Sequence, residues 1–132
     1  AFAMSVEHNF SYQVLVLNAN QPTQAPRQIT RGVGDIGGSL AWSPDGTNIL
    51  IYAGPVAARE IYRVDVTTGA LTKLTFGGNN VAAAYSPDGG YIVYNSLRNN
   101  NQADLYIMRA DGHSTRQLTS NPEPDWQPQW GP

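Results

Sequence analysis

Ala41-Trp42-Ser43-Pro44-Asp45-Gly46 and Ala84-Tyr85-Ser86-Pro87-Asp88-Gly89 are two copies of one hexapeptide, 43 residues apart. A partial third copy, Gln129-Trp130-Gly131-Pro132, places Trp130 45 residues after Tyr85. Two further markers keep the same spacing. One is Gln28-Ile29-Thr30, Lys73-Leu74-Thr75 and Gln117-Leu118-Thr119. The other is an apolar pattern in Val14-Leu15-Val16-Leu17, Ile61-Tyr62-Arg63-Val64 and Leu105-Tyr106-Ile107-Met108. Three ordered markers in three registers make the chain a threefold repeat, with a mean period of 44 in 132 residues. Fixed periods of this length belong to propellers, solenoids and arrays.

The middle unit shows what each period builds. Ser39 to Ser43 reads as a first strand (a), closed by Pro44-Asp45-Gly46. In that turn Pro presets φ, Asp bonds locally and Gly tolerates positive φ. Ile49 to Tyr52 is a second strand (b), broken by Gly54-Pro55. Glu60 to Val66 is a third (c), Thr68-Gly69 a hairpin turn, and Leu71 to Thr75 a fourth (d). No segment carries a 3.6-residue apolar period. Four short strands in such a unit describe one blade of a β-propeller, as in WD40 repeats.

The run Trp-Ser-Pro-Asp-Gly, then Ile-Tyr, then Leu-Thr, resembles the TolB-type β-propeller repeat, and the resemblance covers essentially the whole chain. It implies six-bladed rings. It also implies the settings in which the family occurs, which include periplasmic proteins and the gating propellers of some serine peptidases; a periplasmic or extracytoplasmic location is expected on this ground alone. Three features depart from the pattern: the c–d loop Asn18 to Arg27 is long and carries Pro22 and Pro26, Tyr85 replaces the usual Trp, and only three repeats are present.

The expected architecture is all-β, with three four-stranded antiparallel blades per chain. Residues 1–31 supply strands b-c-d, residues 39–76 and 81–119 supply two blades, and residues 125–130 supply a closing strand a. Blades have two apolar faces, and closed propellers hold about four to eight of them. The expectation is therefore a homodimer closing one six-bladed ring, in which Asp125 to Trp130 of each copy pairs with Phe2 to Ser5 of the other. A fragment of a longer chain would read the same way.

Composition narrows the function classes. Charged residues make up 14%, against about 25% in ordinary soluble proteins. The net charge is −2 with no basic block, which argues against phosphate-driven nucleic-acid binding. No apolar run approaches the roughly 20 residues of a membrane-spanning helix. The absence of Cys excludes a disulfide scaffold and Cys-ligated zinc. Ala1 to Phe10 has no basic segment followed by an apolar core, so no leader peptide is expected within it.

Antiparallel order sorts the loops. The a–b and c–d turns share one side of the ring; the b–c and d–a loops share the other. The second set comprises Val6 to Ser11, Arg31 to Gly38, Pro55 to Arg59, Gly77 to Asn80, Leu97 to Ala103 and Ser120 to Pro124. Variable loops on a rigid scaffold are where binding concentrates. The candidate binding residues there are Arg98, Asn99, Asn100 and Asn101 with Gln102, and Asn79 with Asn80 in the neighbouring loop. They offer amides and a cation to a peptide or sugar, although Asn-rich segments also make good turns. Asp125 and Trp126 open the last strand a near the channel mouth, where Trp126 either stacks on a ligand or fills space between blades.

Trp42, Tyr85 and Trp130 recur at one blade position and read as packing between blades. Asp45, Asp88, Asp65 and Asp111 read as turn formers. His8 falls in a b–c loop and His113 in a c–d turn, on opposite sides, so they cannot share one site. No Gly-x-Ser-x-Gly elbow, His-Glu-x-x-His helix or phosphate loop is present. Calcium through Asp35, Glu123 or Asp125 lacks the spacing of an EF-hand loop, and neither metal nor cofactor is expected. Asn9-Phe10-Ser11 is a glycosylation sequon. These residues favour a non-catalytic module presenting loops and channel to a peptide, protein or small polar ligand. The alternatives are an accessory or gating domain of a hydrolase or peptidase, or a channel-based lyase or hydrolase.

Overall fold

A computed structural model describes residues 2–8, 11–37 and 39–131. Ala1, Asn9 and Phe10 of the sequon, Gly38 at the end of one predicted loop and Pro132 of the third partial repeat lie outside the described residues.

Three antiparallel sheets follow one another along the chain. The first contains β1 (Phe2–His8), β2 (Ser11–Leu17) and β3 (Arg27–Gln28). The second contains β4 (Ala41–Trp42), β5 (Asn48–Ala53), β6 (Glu60–Asp65) and β7 (Leu71–Lys73). The third contains β8 (Asn80–Tyr85), β9 (Tyr91–Asn99), β10 (Gln102–Arg109) and β11 (Arg116–Gln117). Each strand pairs with its sequence neighbour, so the second and third sheets are four-stranded meanders and the first is the same meander without its strand a.

β5 explains why the sheets stack. Its run Ile49-Leu50-Ile51-Tyr52-Ala53 is apolar throughout, as expected of a strand covered on both faces. Alternation sends Ile49, Ile51 and Ala53 into a core with Val14, Ile29 and Ile36 of the first unit. Leu50 goes the other way, with Ile61 and Leu74, into a core shared with Ile92, Tyr94, Tyr106 and Met108 of the third sheet. Trp42 packs against the first core and Tyr85 against the second, which bears out their reading as packing residues.

The repeated markers have repeated jobs. Ser43 Oγ donates to Asp45 Oδ1 at 2.5 Å and Ser86 Oγ to Asp88 Oδ1 at 2.5 Å, closing the two a–b turns. The same serine oxygens accept from Asn48 N and Tyr91 N, each at 2.9 Å. Thr30, Thr75 and Thr119 each accept, through Oγ1, the backbone N–H that opens the apolar pattern of strand c, from Val14 (2.9 Å), Ile61 (2.9 Å) and Leu105 (3.0 Å). Each unit thus ties its outer strand to its third strand with one hydroxyl.

Several predicted boundaries shift. Val6 to His8 belong to β1 and Ser11 to β2, because the ladder runs on until His8 faces Ser11; His8 ends a strand rather than lying in a loop. Arg98 and Asn99 likewise belong to β9, which leaves only Asn100-Asn101 between β9 and β10. Both carry positive φ (50° and 59°), the conformation that a tight two-residue hairpin demands. The a strands shrink to Ala41–Trp42 in the second unit, and the d strands to two or three residues. Residues 125–130 form no strand within a single copy. A strand needs a ladder partner, and here the segment is held by isolated bonds, Asp125 N to Ala103 O (2.8 Å) and Trp130 Nε1 to Ala84 O (3.2 Å).

Candidate functional site

The Asn-rich stretches come together, but most of their polar atoms are already used. Asn80 is 0% exposed. Its Nδ2 donates to Glu60 Oε2 (2.8 Å) and to Gly77 O (2.9 Å), while its Oδ1 accepts from Arg98 Nη2 (3.3 Å). Arg98 lies over the Tyr106 ring at 4.9 Å and also donates to Ser96 Oγ (3.1 Å). Asn99 Nδ2 donates to Asp104 Oδ2 (3.0 Å). These three residues serve the junction of sheets before they serve any ligand.

The remainder form a surface. Asn79 and Asn101, with the flank of Arg98, line an open cleft of about 590 Å³ together with Val56, Ala57, Gly78 and Leu97. Gly78 lets the walls meet: a Cβ there would lie 2.7 Å from Arg98 Cβ, and its φ is +103°. Asn79 turns the chain with φ 51°, and its Oδ1 accepts from Arg59 N (3.3 Å). Asn100 is exposed at the hairpin tip.

Asp125 and Trp126 sit elsewhere, along the first strands of the blades. Asp125 N donates to Ala103 O (2.8 Å) as Asn80 N donates to Arg59 O (2.7 Å), so Asp125 occupies in the third unit the place Asn80 holds between the second and third. Trp126 is 55% exposed. It lines a second cleft, of about 500 Å³, with Ser39, Leu40, Tyr52, Arg59, Val81 and Gln127. Of the candidate residues, Asn79, Arg98 and Asn101 line one cleft and Trp126 the other, and the bond from Arg59 N to Asn79 Oδ1 links a residue of each.

Electrostatics sets the junction. Burial pushes the Glu60 carboxyl up, but donors from Thr75, Gly77 N and Asn80, with Lys73 at 3.6 Å, outweigh it and hold the group below its ordinary 4.5. On the opposite side a cleft of about 470 Å³ is lined by Ser43, Asp45, Arg63, Tyr85 and Asp88. Burial pushes the Tyr85 phenol up to about 12, so it is not a base at neutral pH. Hydrogen bonds within their turns hold Asp45 and Asp88 down, consistent with turn formation. Among the described residues no three acidic, histidine or cysteine side chains converge. Asp35 lines a cleft beside Tyr12 and Ile36, apart from Asp125.

Sequence reasoning missed Arg59 and Glu60. One signal was available. Arg59 stands where the other units carry Tyr12 and Ala103, so it is no part of the repeat and needs its own explanation.

The TolB beta propeller domain model matches residues 1–132. An uncharacterised protein of Agrobacterium fabrum is 37% identical over 92 residues, 69% of this chain and 31% of that protein. The Tol-Pal system protein TolB of Anaeromyxobacter dehalogenans is 36% identical over 92 residues, 70% of this chain and 21% of that protein. A TolB-type structure from Agrobacterium tumefaciens superposes with a TM-score of 0.81 at 31% identity, over 96% of this chain and 44% of the other. The chain thus spans less than half of each of these relatives. The stacked four-stranded sheets, the Ser-Pro-Asp-Gly turns and the match along the full length agree: the chain belongs to the TolB β-propeller family.

Proposed function

We propose that the chain is a non-catalytic binding module that presents its b–c and d–a side, and the inner cleft beside it, to a peptide segment of a partner protein in an extracytoplasmic compartment. The observation carrying this reading is the pair of adjoining clefts joined at Arg59 and Asn79, with an exposed indole, Trp126, on one wall. Solvent-facing aromatic rings beside amides suit peptide recognition, where stacking supplies area and amides supply direction. A peptide array probed with the wild-type protein and with Trp126→Ala plus Asn101→Ala tests it. Binding that falls in the double variant, with thermal melting unchanged, supports the reading. An array with no wild-type signal, or one equal for both proteins, overturns it.

The ring belongs to the same proposal. β1 is the edge of a three-stranded sheet, where the second and third sheets have a strand a. Trp130 is 39% exposed at the repeat position where Trp42 and Tyr85 are packed. A second copy supplies both needs: its residues 125–130 pair with Phe2 to Ser5, and two copies make a six-bladed ring. Light scattering should give twice 14.3 kDa, and deletion of residues 124–132 should give a monomer. A wild-type monomer at micromolar concentration refutes the ring.

A further inference from the structure

We infer that Arg59 anchors a subsite for a carboxylate group at the inner cleft, so that the segment bound by the module is acidic or ends in a free C-terminus there. The inference rests on the binding-module reading above and goes further, to the chemistry of the ligand.

Arg59 is held in place, and among the described residues its charge has no ion-pair partner. Its main chain is pinned to the start of the third sheet, with N donating to Asn79 Oδ1 and O accepting from Asn80 N. Its guanidinium lies over the Tyr52 ring, 5.4 Å from the centroid. That cation–π contact holds the head group beside the ring. Nε is enclosed with no hydrogen-bond acceptor. The ion pairs among the described residues are Lys73–Glu60, Arg109–Asp111 and His113–Asp111; Arg59 is in none. Asp35 shares a cleft with Arg59 on the side of the first sheet without pairing with it. Other interblade arginines differ in this respect: Arg98 donates to Ser96, Asn80 and Tyr94, Arg27 to Val66 O and Thr67 O, and Arg63 to Ala110 O.

A guanidinium presents five donors in a rigid fork that matches a carboxylate in two parallel bonds. Nε is enclosed, so a carboxylate in the cleft would meet the outer Nη edge of the fork, with a charge-assisted pair of bonds. The groups around the fork suit a peptide. Leu40 and Val81 supply apolar wall, Gln127 supplies an amide, and the indole of Trp126 faces the same space. A carboxylate can come from a chain end or from an Asp or Glu side chain, and the geometry accepts either.

The test is calorimetry on the wild-type protein with pools of acetylated tetrapeptides drawn from Ala, Leu, Ser and Gly. One pool ends in a free carboxylate, one is amidated, and one is amidated with a single Glu. The expected result is binding of the first pool, the third or both, identifying the source, with the neutral amides at least about tenfold weaker. Arg59→Gln should lose that preference, and Arg59→Lys should keep part of it. A measurement free of folding effects accompanies the variants: the bound acidic pool should protect Arg59 of the wild-type protein from phenylglyoxal, read by peptide mapping. Neutral amides binding as tightly as acids in a Trp126-dependent way, with no protection of Arg59, would overturn the carboxylate subsite and leave the module reading standing. No binding by any pool would overturn both.

Discussion

Thr75 Oγ1 donates to Glu60 Oε2 at 2.6 Å while accepting the Ile61 N–H at 2.9 Å. One hydroxyl thus joins the outer strand to the third strand and gives one oxygen of a buried carboxylate a donor. Thr75→Val keeps the shape and removes both bonds, leaving Glu60 and Ile61 N short of partners. The expected cost is about 1–3 kcal/mol, read as a lower urea midpoint, and Thr75→Ser should recover most of it. A Thr75→Val midpoint within error of wild type would show that the hydroxyl is dispensable.

Acid should undo the junction through Glu60. Its folded-state pKa lies below the 4.5 of a free side chain. Stability from this group is therefore fully present above about pH 4.5 and is lost as pH falls through the lower folded value. Glu60→Gln removes that dependence, so its stability should change less than wild type's between pH 5 and pH 3. Parallel acid limbs for the two proteins would exclude Glu60 as the titrating group.

Asp125→Asn should stabilise the protein. Asp104 is 0% exposed; Oδ2 accepts from Asn99 and Gln117, but Oδ1 has no partner. In the preceding unit the matching carboxylate, Glu60, receives an amide from Asn80, and Asp125 stands in the place of Asn80. By analogy with Asn80 and Glu60, an amide at 125 should donate to Asp104, for a gain of about 1 kcal/mol. Denaturant melts of Asp125→Asn and of the Asp104→Ala, Asp125→Asn pair should show the gain only when Asp104 is present.

Gly78→Ala should be costly. The backbone there has φ +103°, and a Cβ would meet Arg98 Cβ at 2.7 Å and Ser96 Oγ at 2.9 Å. Strain and clash together should cost about 1–3 kcal/mol and displace Arg98 from Tyr106. Gly77→Ala beside it meets no atom within 4 Å, so it isolates the effect of φ from that of contact.

The blades were legible because their signals are local and repeated. Ser-Pro-Asp-Gly closes a turn by bonds within a few residues, and the unbroken apolar run of β5 already implies two covered faces. The site was less legible because its pairings are distant. Asn80 reads as a loop amide until Glu60, 20 residues earlier, is seen to hold it. Arg98 reads as a free cation until Tyr106 and Asn80 are placed beside it. The long loop predicted at Leu97 to Ala103 failed for a related reason: polar residues signal solvent only when their partners are not on the adjoining strand, and Asn99 has Asp104.

The division of β5, with Ile49 and Ile51 on one side and Leu50 on the other, bears on how such a molecule comes apart. Because a single ribbon contributes to two oily seams, melting one leaf strips its neighbours left and right at once. The three leaves should therefore let go together, in one cooperative event rather than one leaf at a time.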